Sequence, residues 1–512
     1  MLKKTYSQPA QNLPVLYDVD VLVVGGGTAG SIAAIAAARA GAKTLVIERT
    51  ASLGGTPVTN LMASCGNRFY SRDGKFILRG LPYELMCRIE KMGGLHLEST
   101  DASLRGKMNI PITVPFRSEL MSLALREMAR EAGAEVLVHT MLSHVIEPGP
   151  NPKGVVAVNK GGPFAIFAKE IVDCSGEADV AVACKAPFTS GCHTTSWSLL
   201  MRMGNVNAER VMEHIRAYDP DERWPEFGDW LSDYLGMTVE EIQNSHWRKI
   251  LDPILFAHAP DVTPGANEYC AEKKQYLLER WEREGVLYNC ELTLLRREMK
   301  AAVEAGDFSL IKKIPGFGII VPNFDGFAIG AWGEGIALVN ISQCMGGFDP
   351  NRGEDVSRAE EECRKYNGEI ANFLIKYVPG FENAYMLDMG AQTVARHAVM
   401  IDGIVKGGFE IVDGKKKPLG DGIYWAGGVA NFGEPIPIPY GVCIPKGVDN
   451  VFVAGKHASG APAYRSIPSC MAMGQAMGVA AALCARDGKT NSELDIKLLQ
   501  DELRKQDVLL DL

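Results

Sequence analysis

The sequence predicts an α/β fold, an open parallel-sheet domain of the βαβ type with an added β-meander, joined to an α+β domain that carries a helical insertion. Three observations predict it. A β-branched segment, a glycine cluster and an alanine-rich segment follow one another across 19–40. Short apolar runs separated by Gly and Pro recur between 135 and 173. An apolar strand at 451–454 and a small-residue helix at 469–485 then close the chain.

In chain order, residues 19–24 alternate little and are almost wholly apolar, as a buried strand requires. Residues 31–40 are alanine-rich with Ile32 and Ile35, a helix, and 44–47 is apolar again, a second strand. A helix at 118–131 carries Arg126 and Arg130 on its polar face and stops at Gly133, leading into a strand at 135–138. Strands follow at 155–158, 164–168 and 171–173. From 205 to 313 the chain turns densely charged, with helical periodicity at 271–283 and 294–305 and with Trp224, Trp230, Trp247 and Trp281 packing between helices. Strands at 318–322, 327–330 and 336–340 and a charged helix at 355–377 complete the second domain. The expected division is a discontinuous first domain, 1–204 and 419–512, around a second domain, 205–418, with the helical insertion at about 205–313.

The composition is that of a globular protein: 512 residues, 46% hydrophobic, with 53 basic and 62 acidic side chains giving a net charge of −9. This excludes a basic footprint for nucleic acid or anionic lipid. The N-terminus has no apolar run of signal-peptide length, and the uncharged stretch 21–38 owes its length to a glycine turn and is no membrane span. The twelve cysteines include no C-x-x-C pair, so iron–sulfur, zinc-ribbon and dithiol motifs are absent and a reduced, cytoplasmic setting is expected.

The chemistry begins at Gly25-Gly26-Gly27-Thr28-Ala29-Gly30, a G-x-G-x-x-G placed between strand and helix. Gly25 permits the tight turn, Gly27 lets a pyrophosphate approach the backbone, and Gly30 allows close helix–strand packing. The helix N-terminus adds N–H groups and partial positive charge. Glu48 ends the second strand, 18 residues on, where a carboxylate binds a ribose diol and repels a 2′-phosphate. Spacing alone leaves NAD and FAD both open.

Further motifs narrow the choice. Glu48-Arg49-Thr50-Ala51-Ser52-Leu53-Gly54-Gly55-Thr56 resembles the glycine turn that follows the ribose-binding acid in flavoproteins with two dinucleotide-binding domains, where the glycine pair lies against the FAD pyrophosphate. Asp173-Cys174-Ser175-Gly176 resembles the later strand end Ala-Thr-Gly, with Ser for Thr. The run through Gly455-Lys456-His457 to Arg465-Ser466-Ile467-Pro468-Ser469-Cys470-Met471, ending at Gly474 and Gly478, is similar to the closing stretch of the FAD-dependent oxidoreductase family. The matches spread over about 19–485 and are thin across the insertion. The resemblance implies a Rossmann-like FAD-binding domain with FAD held by Gly25, Gly27, Thr28, Ala29, Gly30, Glu48, Arg49, Gly54, Gly55, Thr56, Leu142, Ser175, Gly176, Gly455, Ser469 and Met471. Lys456 stands where most of the wider superfamily has an acid that contacts the ribitol. The last helix would aim its N-terminus, near Ser469–Met471, at the flavin pyrimidine edge, stabilising reduced-flavin charge. Gly474 and Gly478 let that helix pack closely.

Beside the flavin the protein must supply a proton donor or acceptor and a grip on substrate. His397 is the candidate base and Arg396 the candidate for a substrate carboxylate or carbonyl, in a segment that resembles the family's active-site strand. His457, Arg465 and Tyr440 flank the flavin-binding end of the last strand and are the other catalytic candidates. Cys65 lacks a resolving partner and reads as a buried thiol, and His193 lacks companion ligands and reads as a packing residue, so no metal is expected. No second G-x-G-x-x-G follows another strand, so electrons come from the substrate, from transient NAD(P)H or from an electron-transfer protein. The expected activity is hydride transfer between a small organic substrate and flavin N5. C=C reduction, NAD(P)H-fed monooxygenation and a structural FAD are the alternatives, and a homo-oligomer stays open.

Overall fold

The computed structural model describes residues 5–7, 9–65, 77–95, 114–190, 196–219, 232–233, 236–238, 240–241, 266–290, 292–315, 318–330, 333–345, 348–396, 399–406, 409–412, 415–418, 420–426, 436–460 and 464–511. The first sheet has a parallel spine of Glu135–Leu137, Thr44–Ile47, Val15–Val24 and Gly162–Asp173, in that order, with Val451–Val453 pairing the far side of Gly162–Asp173. In register, Val24 faces both Ile47 and Asp173, and Val453 also faces Asp173. Four strands from distant parts of the chain therefore end on one line, and the carboxyl edge of a parallel sheet is where ligands bind. Met141–Ile146 and Gly154–Asn159 make the antiparallel meander that feeds into Gly162–Asp173.

The first helix, Thr28–Arg39, starts three residues ahead of the expected Ser31 because the glycine turn runs straight into it with Gly27 as N-cap. It packs against the apolar helix Ile467–Asp487, which starts two residues ahead of the expected Ser469. A Cβ on Gly474 would lie 2.2 Å from the Ala29 carbonyl oxygen, and one on Gly478 2.2 Å from that of Ala33, so only glycine allows this crossing. The apolar helix is long enough to cross a membrane, yet 94% of its most apolar window is buried inside the protein.

The expected strands at 164–168 and 171–173 are one continuous strand, Gly162–Asp173. Lys169 and Glu170 look like a polar break, but Glu170 pairs with Val21 and is buried.

The second sheet contains eight antiparallel strands among the described residues, ordered Leu287–Cys290, Gly318–Ile329, Ala337–Met345, Ser196–Ser198 and Val394–Ala395, with three more off this path. The segments read as strands at 318–322 and 327–330 are one strand, irregular between Pro322 and Gly326. Ser196–Ser198 and Met201–Gly204 both pair with Ala337–Met345, so the chain enters the second sheet before residue 204, the boundary drawn from composition. Short strands of mixed composition carry little boundary signal. Gly353–Tyr377 packs on this sheet, burying Cys363, Tyr366, Ile370, Phe373 and Leu374. Of the insertion, Ala208–Ala217, Ala266–Glu284 and Arg296–Glu304 are helical, and Trp281 packs partly buried on the second core. Trp224, Trp230 and Trp247 lie outside the described residues.

Glu170 generates a prediction. Burial pushes its carboxyl up to about 8 from the usual 4.5, so the folded chain keeps a proton that the unfolded chain releases above its ordinary value. Stability is therefore lost as pH rises from 4.5 to about 8, by up to about 5 kcal/mol at roughly 1.4 kcal/mol per pH unit. In urea denaturation, Glu170→Gln is expected to gain stability over the parent at pH 8 and to lose this advantage towards pH 5.

Candidate cofactor and substrate site

One cavity of about 710 Å³ opens along the carboxyl edge of the first sheet and reaches the face of the second. That volume is ample for a sizeable ligand, since pockets of this kind span about 300–1,000 Å³. Gly25, Gly27, Thr28, Ala29, Glu48, Arg49, Gly55, Thr56, Leu142, Ser175, Gly176 and Gly455 all line it.

The glycines there do different work. Gly25 has φ +98° and a Cβ would sit 2.5 Å from the Cys174 carbonyl oxygen, while a Cβ on Gly30 would sit 1.8 Å from that of Gly25. Those two, Gly30 lying behind the cavity wall, are required by the fold itself. Gly27 is not, because its φ of −66° suits any residue and its nearest neighbour to a Cβ, the Gly55 Cα, is 3.9 Å away. Its bareness leaves room beside the first-turn amides of Thr28–Gly30, which have no intrahelical acceptor. That is space fitted to a pyrophosphate. Thr28 Oγ1 donates to the Gly54 carbonyl (2.8 Å) and the Gly54 amide donates to that of Gly26 (2.9 Å), so Gly54 locks the two glycine turns together from behind the cavity wall.

Glu48 is 7% exposed and firmly oriented. One oxygen accepts from the Gly26 amide (2.8 Å), the other from the Thr50 amide (2.7 Å) and hydroxyl (2.8 Å). A carboxylate has about four acceptor positions, so one remains for a sugar hydroxyl.

Behind the cavity, the buried Asp173 carboxylate folds the next loop by accepting from the Ser175 hydroxyl (2.7 Å) and from the amides of Ser175, Val180 and Ala181. Ser175 Oγ also accepts from the Asp179 amide (2.9 Å). The hydroxyl that resembles the family's Thr thus shapes the loop. Lys456 forms an ion pair with Glu177 at the cavity wall, where the wider superfamily carries an acid. Asp179 reaches the cavity solvent, but crowding by protein, then the neighbouring charges of Asp173 and Glu177, push its carboxyl up to about 6 against the pull of Arg49 and Lys456.

Several candidates move. His457 stays at the cavity, whose lining it joins although its side chain is completely buried, with its Nε2 at 3.1 Å from the Asp173 carbonyl oxygen. A carbonyl only accepts, so Nε2 carries the proton, and the imidazole ties two strand ends together at the cavity wall. Tyr440 lies in the core away from the cavity, its hydroxyl donating to the Asn491 carbonyl (2.7 Å) and burial pushing its pKa well up. Ser469 and Met471 point into the core as well, because the helix begins at Ile467. The turn that meets the cavity is Ser466, Ile467, Pro468 and Cys470, with Ser466 as N-cap. Arg465 and Arg396 are half-buried and line the cavity. His397 and His193 lie outside the described residues, as does the side chain of Cys65.

Asn60 and Trp197 escaped the sequence reading. Asn60 is 1% exposed, and its amide donates to the carbonyls of Ser198 (2.9 Å) and Gln392 (2.8 Å). The Gln392 amide donates to the Thr59 carbonyl (3.2 Å) and its side chain to Thr59 Oγ1 (3.0 Å). This clamp sets the strand Val394–Ala395, which Arg396 directly follows, against the nucleotide domain. No spacing in the sequence marks Asn60, which is the C-cap of the short helix Thr56–Thr59 after the second glycine turn and precedes Leu61 at φ +60°, a conformation that costs a non-glycine residue about 1–3 kcal/mol. Among the described residues no group of three or more His, Cys, Asp or Glu is placed to hold a metal.

The two kinds of glycine separate in an experiment. Gly27→Val is expected to keep the parent's thermal midpoint while weakening FAD binding to the apoprotein at least about a hundredfold, about 3 kcal/mol. Gly30→Val is expected to fail to fold, which circular dichroism would show.

The model of the family described as "FAD dependent oxidoreductase" matches residues 20–406 and 391–503. Protein FixC of Salmonella typhi is 32% identical over 148 residues, covering 27% of this chain and 33% of that protein. Digeranylgeranylglycerophospholipid reductase of Methanosarcina acetivorans is 32% identical over 162 residues, 31% of this chain and 37% of the reductase. The chain thus spans about a third of the length of these curated relatives. A solved geranylgeranyl bacteriochlorophyll reductase-like protein from Thermoplasma acidophilum overlaps 96% of this chain and 83% of its own at 13% identity and a TM-score of 0.39, too loosely to bear on chemistry. The family match, running from the first strand to the last helices, establishes that this chain belongs to the FAD dependent oxidoreductase family, an enzyme family, with FAD as cofactor.

Proposed function

We propose that the chain transfers hydride between a small organic substrate and flavin N5, with the nucleotide half of FAD on the glycine cradle and the substrate between the flavin and the second sheet. The observation that carries this reading is one continuous cavity whose lining includes Glu48 and Arg396 and draws on both sheets. FAD, when bound, supplies the two-electron chemistry. The chain's own residues do the rest. Glu48 orients the ribose, the first-turn amides after Gly27 meet the pyrophosphate, and the turn at Ser466–Pro468 presents amide dipoles where charge develops on reduction. Arg396 grips substrate, and His397, next to it in sequence, moves the proton. Arg465 adds positive charge to the same end of the cavity.

Reduction of a C=C bond is the second reading, favoured by the reductase named among the relatives. It uses the same site with His397 as acid. NAD(P)H-fed monooxygenation and a structural FAD are separated from both by the same experiment. The nine described cysteines without disulfides support a reducing, cytoplasmic setting.

The test is the anaerobic visible spectrum of the holoenzyme. Flavin bands are expected to bleach with a small organic donor such as an alcohol or amine; bleaching by NADH or NADPH alone would turn the search to oxidised acceptors or oxygen. A flavin that no donor reduces would sink the hydride-transfer reading. His397→Ala is expected to retain FAD and lose about a hundredfold to ten-thousandfold in the rate of flavin reduction.

A further inference from the structure

The charges lining the cavity are unequally matched. Glu48 has three donors, Glu177 has Lys456, and Glu360 accepts from the Thr393 amide and hydroxyl and from Arg364. Of the cations, Lys456 is committed to Glu177, Arg465 has partners of its own, and Arg49 is exposed at the ribose end. Arg396 differs. Its backbone amide is fixed to the Ser196 carbonyl (2.9 Å), but among the described residues its half-buried guanidinium has no hydrogen bond and no ion pair.

A guanidinium cannot escape this by losing its proton, so a partly desolvated, unpaired one favours an anion in front of it. The surrounding wall narrows the anion's nature. Trp197, whose strand pairs it with Ala395, lines the cavity together with Phe327, Ala328 and Leu338 of the neighbouring strands; all four are between 1% and 5% exposed, and their one polar side-chain atom, the Trp197 indole N–H, is a donor that an anion also suits. One unmatched cation set in an apolar wall fits a ligand with one negative group on an apolar body. The planar fork of arginine matches a carboxylate in two-point contact, whereas a doubly charged phosphate would call for a second uncommitted cation.

We infer that the substrate is an apolar monocarboxylate, with its carboxylate on Arg396 and its body against Trp197, Phe327, Ala328 and Leu338. This rests on the reading of the cavity as a combined flavin and substrate site.

The test measures binding without turnover. Oxidised holoenzyme is titrated with phenylacetate and hexanoate, with phenylacetamide and hexanamide, and with acetate, following the shift of the flavin absorption bands. The two apolar carboxylates are expected to bind at least about tenfold more tightly than their amides and than acetate. Arg396→Gln is expected to erase that preference while leaving amide affinity unchanged, and Arg396→Lys to restore part of it. Equal affinity of amides and carboxylates for the parent enzyme, or no shift with any of them, overturns the inference. So does Arg396→Gln with unchanged carboxylate affinity and a lowered flavin midpoint potential, which would assign the guanidinium to the reduced flavin. If Arg396→Gln loses FAD, the carboxylate-to-amide ratio of the parent enzyme decides. Failure of the hydride-transfer reading appears elsewhere, as a flavin that no donor bleaches whatever these affinities are.

Discussion

The close crossing of the first helix and the apolar helix Ile467–Asp487 is the contact on which the rest depends. Gly474 and Gly478 lie so near the Ala29 and Ala33 carbonyls that no side chain fits between. Alanines on one helix and glycines on the other bring two backbones together, trading side-chain volume for dense van der Waals contact. The consequence is topological. Elements from opposite ends of the chain meet at one sheet, so the glycine turn after Val24 and the helix start at Ile467 face the same cavity. Loss of that approach would separate the pyrophosphate end of the site from its flavin end.

A second constraint joins the two sheets. Asn60 follows the second glycine turn and spends both amide hydrogens on carbonyls of the second sheet and its loop. A buried amide with both donors satisfied resists displacement, since breaking it strands two carbonyls without partners. Gly390 lies against the same residue, where a Cβ would come within 2.9 Å of the Asn60 Cα. Arg396, six residues further on, therefore holds its place relative to the cradle through backbone contacts, and among the described residues its guanidinium has no hydrogen bond and no ion pair.

The buried titratable groups divide along similar lines. Asp173 is satisfied by four donors and shapes the loop, and His457 pins that loop to the last strand. Glu170, ten ångströms or so along the same strand by strand geometry, has an oxygen without a partner and holds its proton instead. Two carboxyls in one strand thus meet different surroundings, one ringed by donors and the other buried with an oxygen that has none among the described residues.

The sequence by itself determined the cofactor half of this protein. Gly25, Gly30, Glu48 and the Gly474–Gly478 pair are legible because each is demanded by local backbone geometry or by a ligand contact within a few residues of a strand end, and such demands leave fixed spacings. Strand boundaries were less legible where a buried Glu170 imitated a loop and where the strands Ser196–Ser198 and Met201–Gly204 are too short to show a period. The substrate half was decided by tertiary structure. That Tyr440 meets a carbonyl in the core depends on Asn491, 51 residues away, and the carbonyl that His457 meets at the cavity wall is that of Asp173, 284 residues away. The placing of Asn60 against Gln392 spans 332 residues. No local spacing encodes such a contact, because the energy that fixes it arises only when the two sheets have packed.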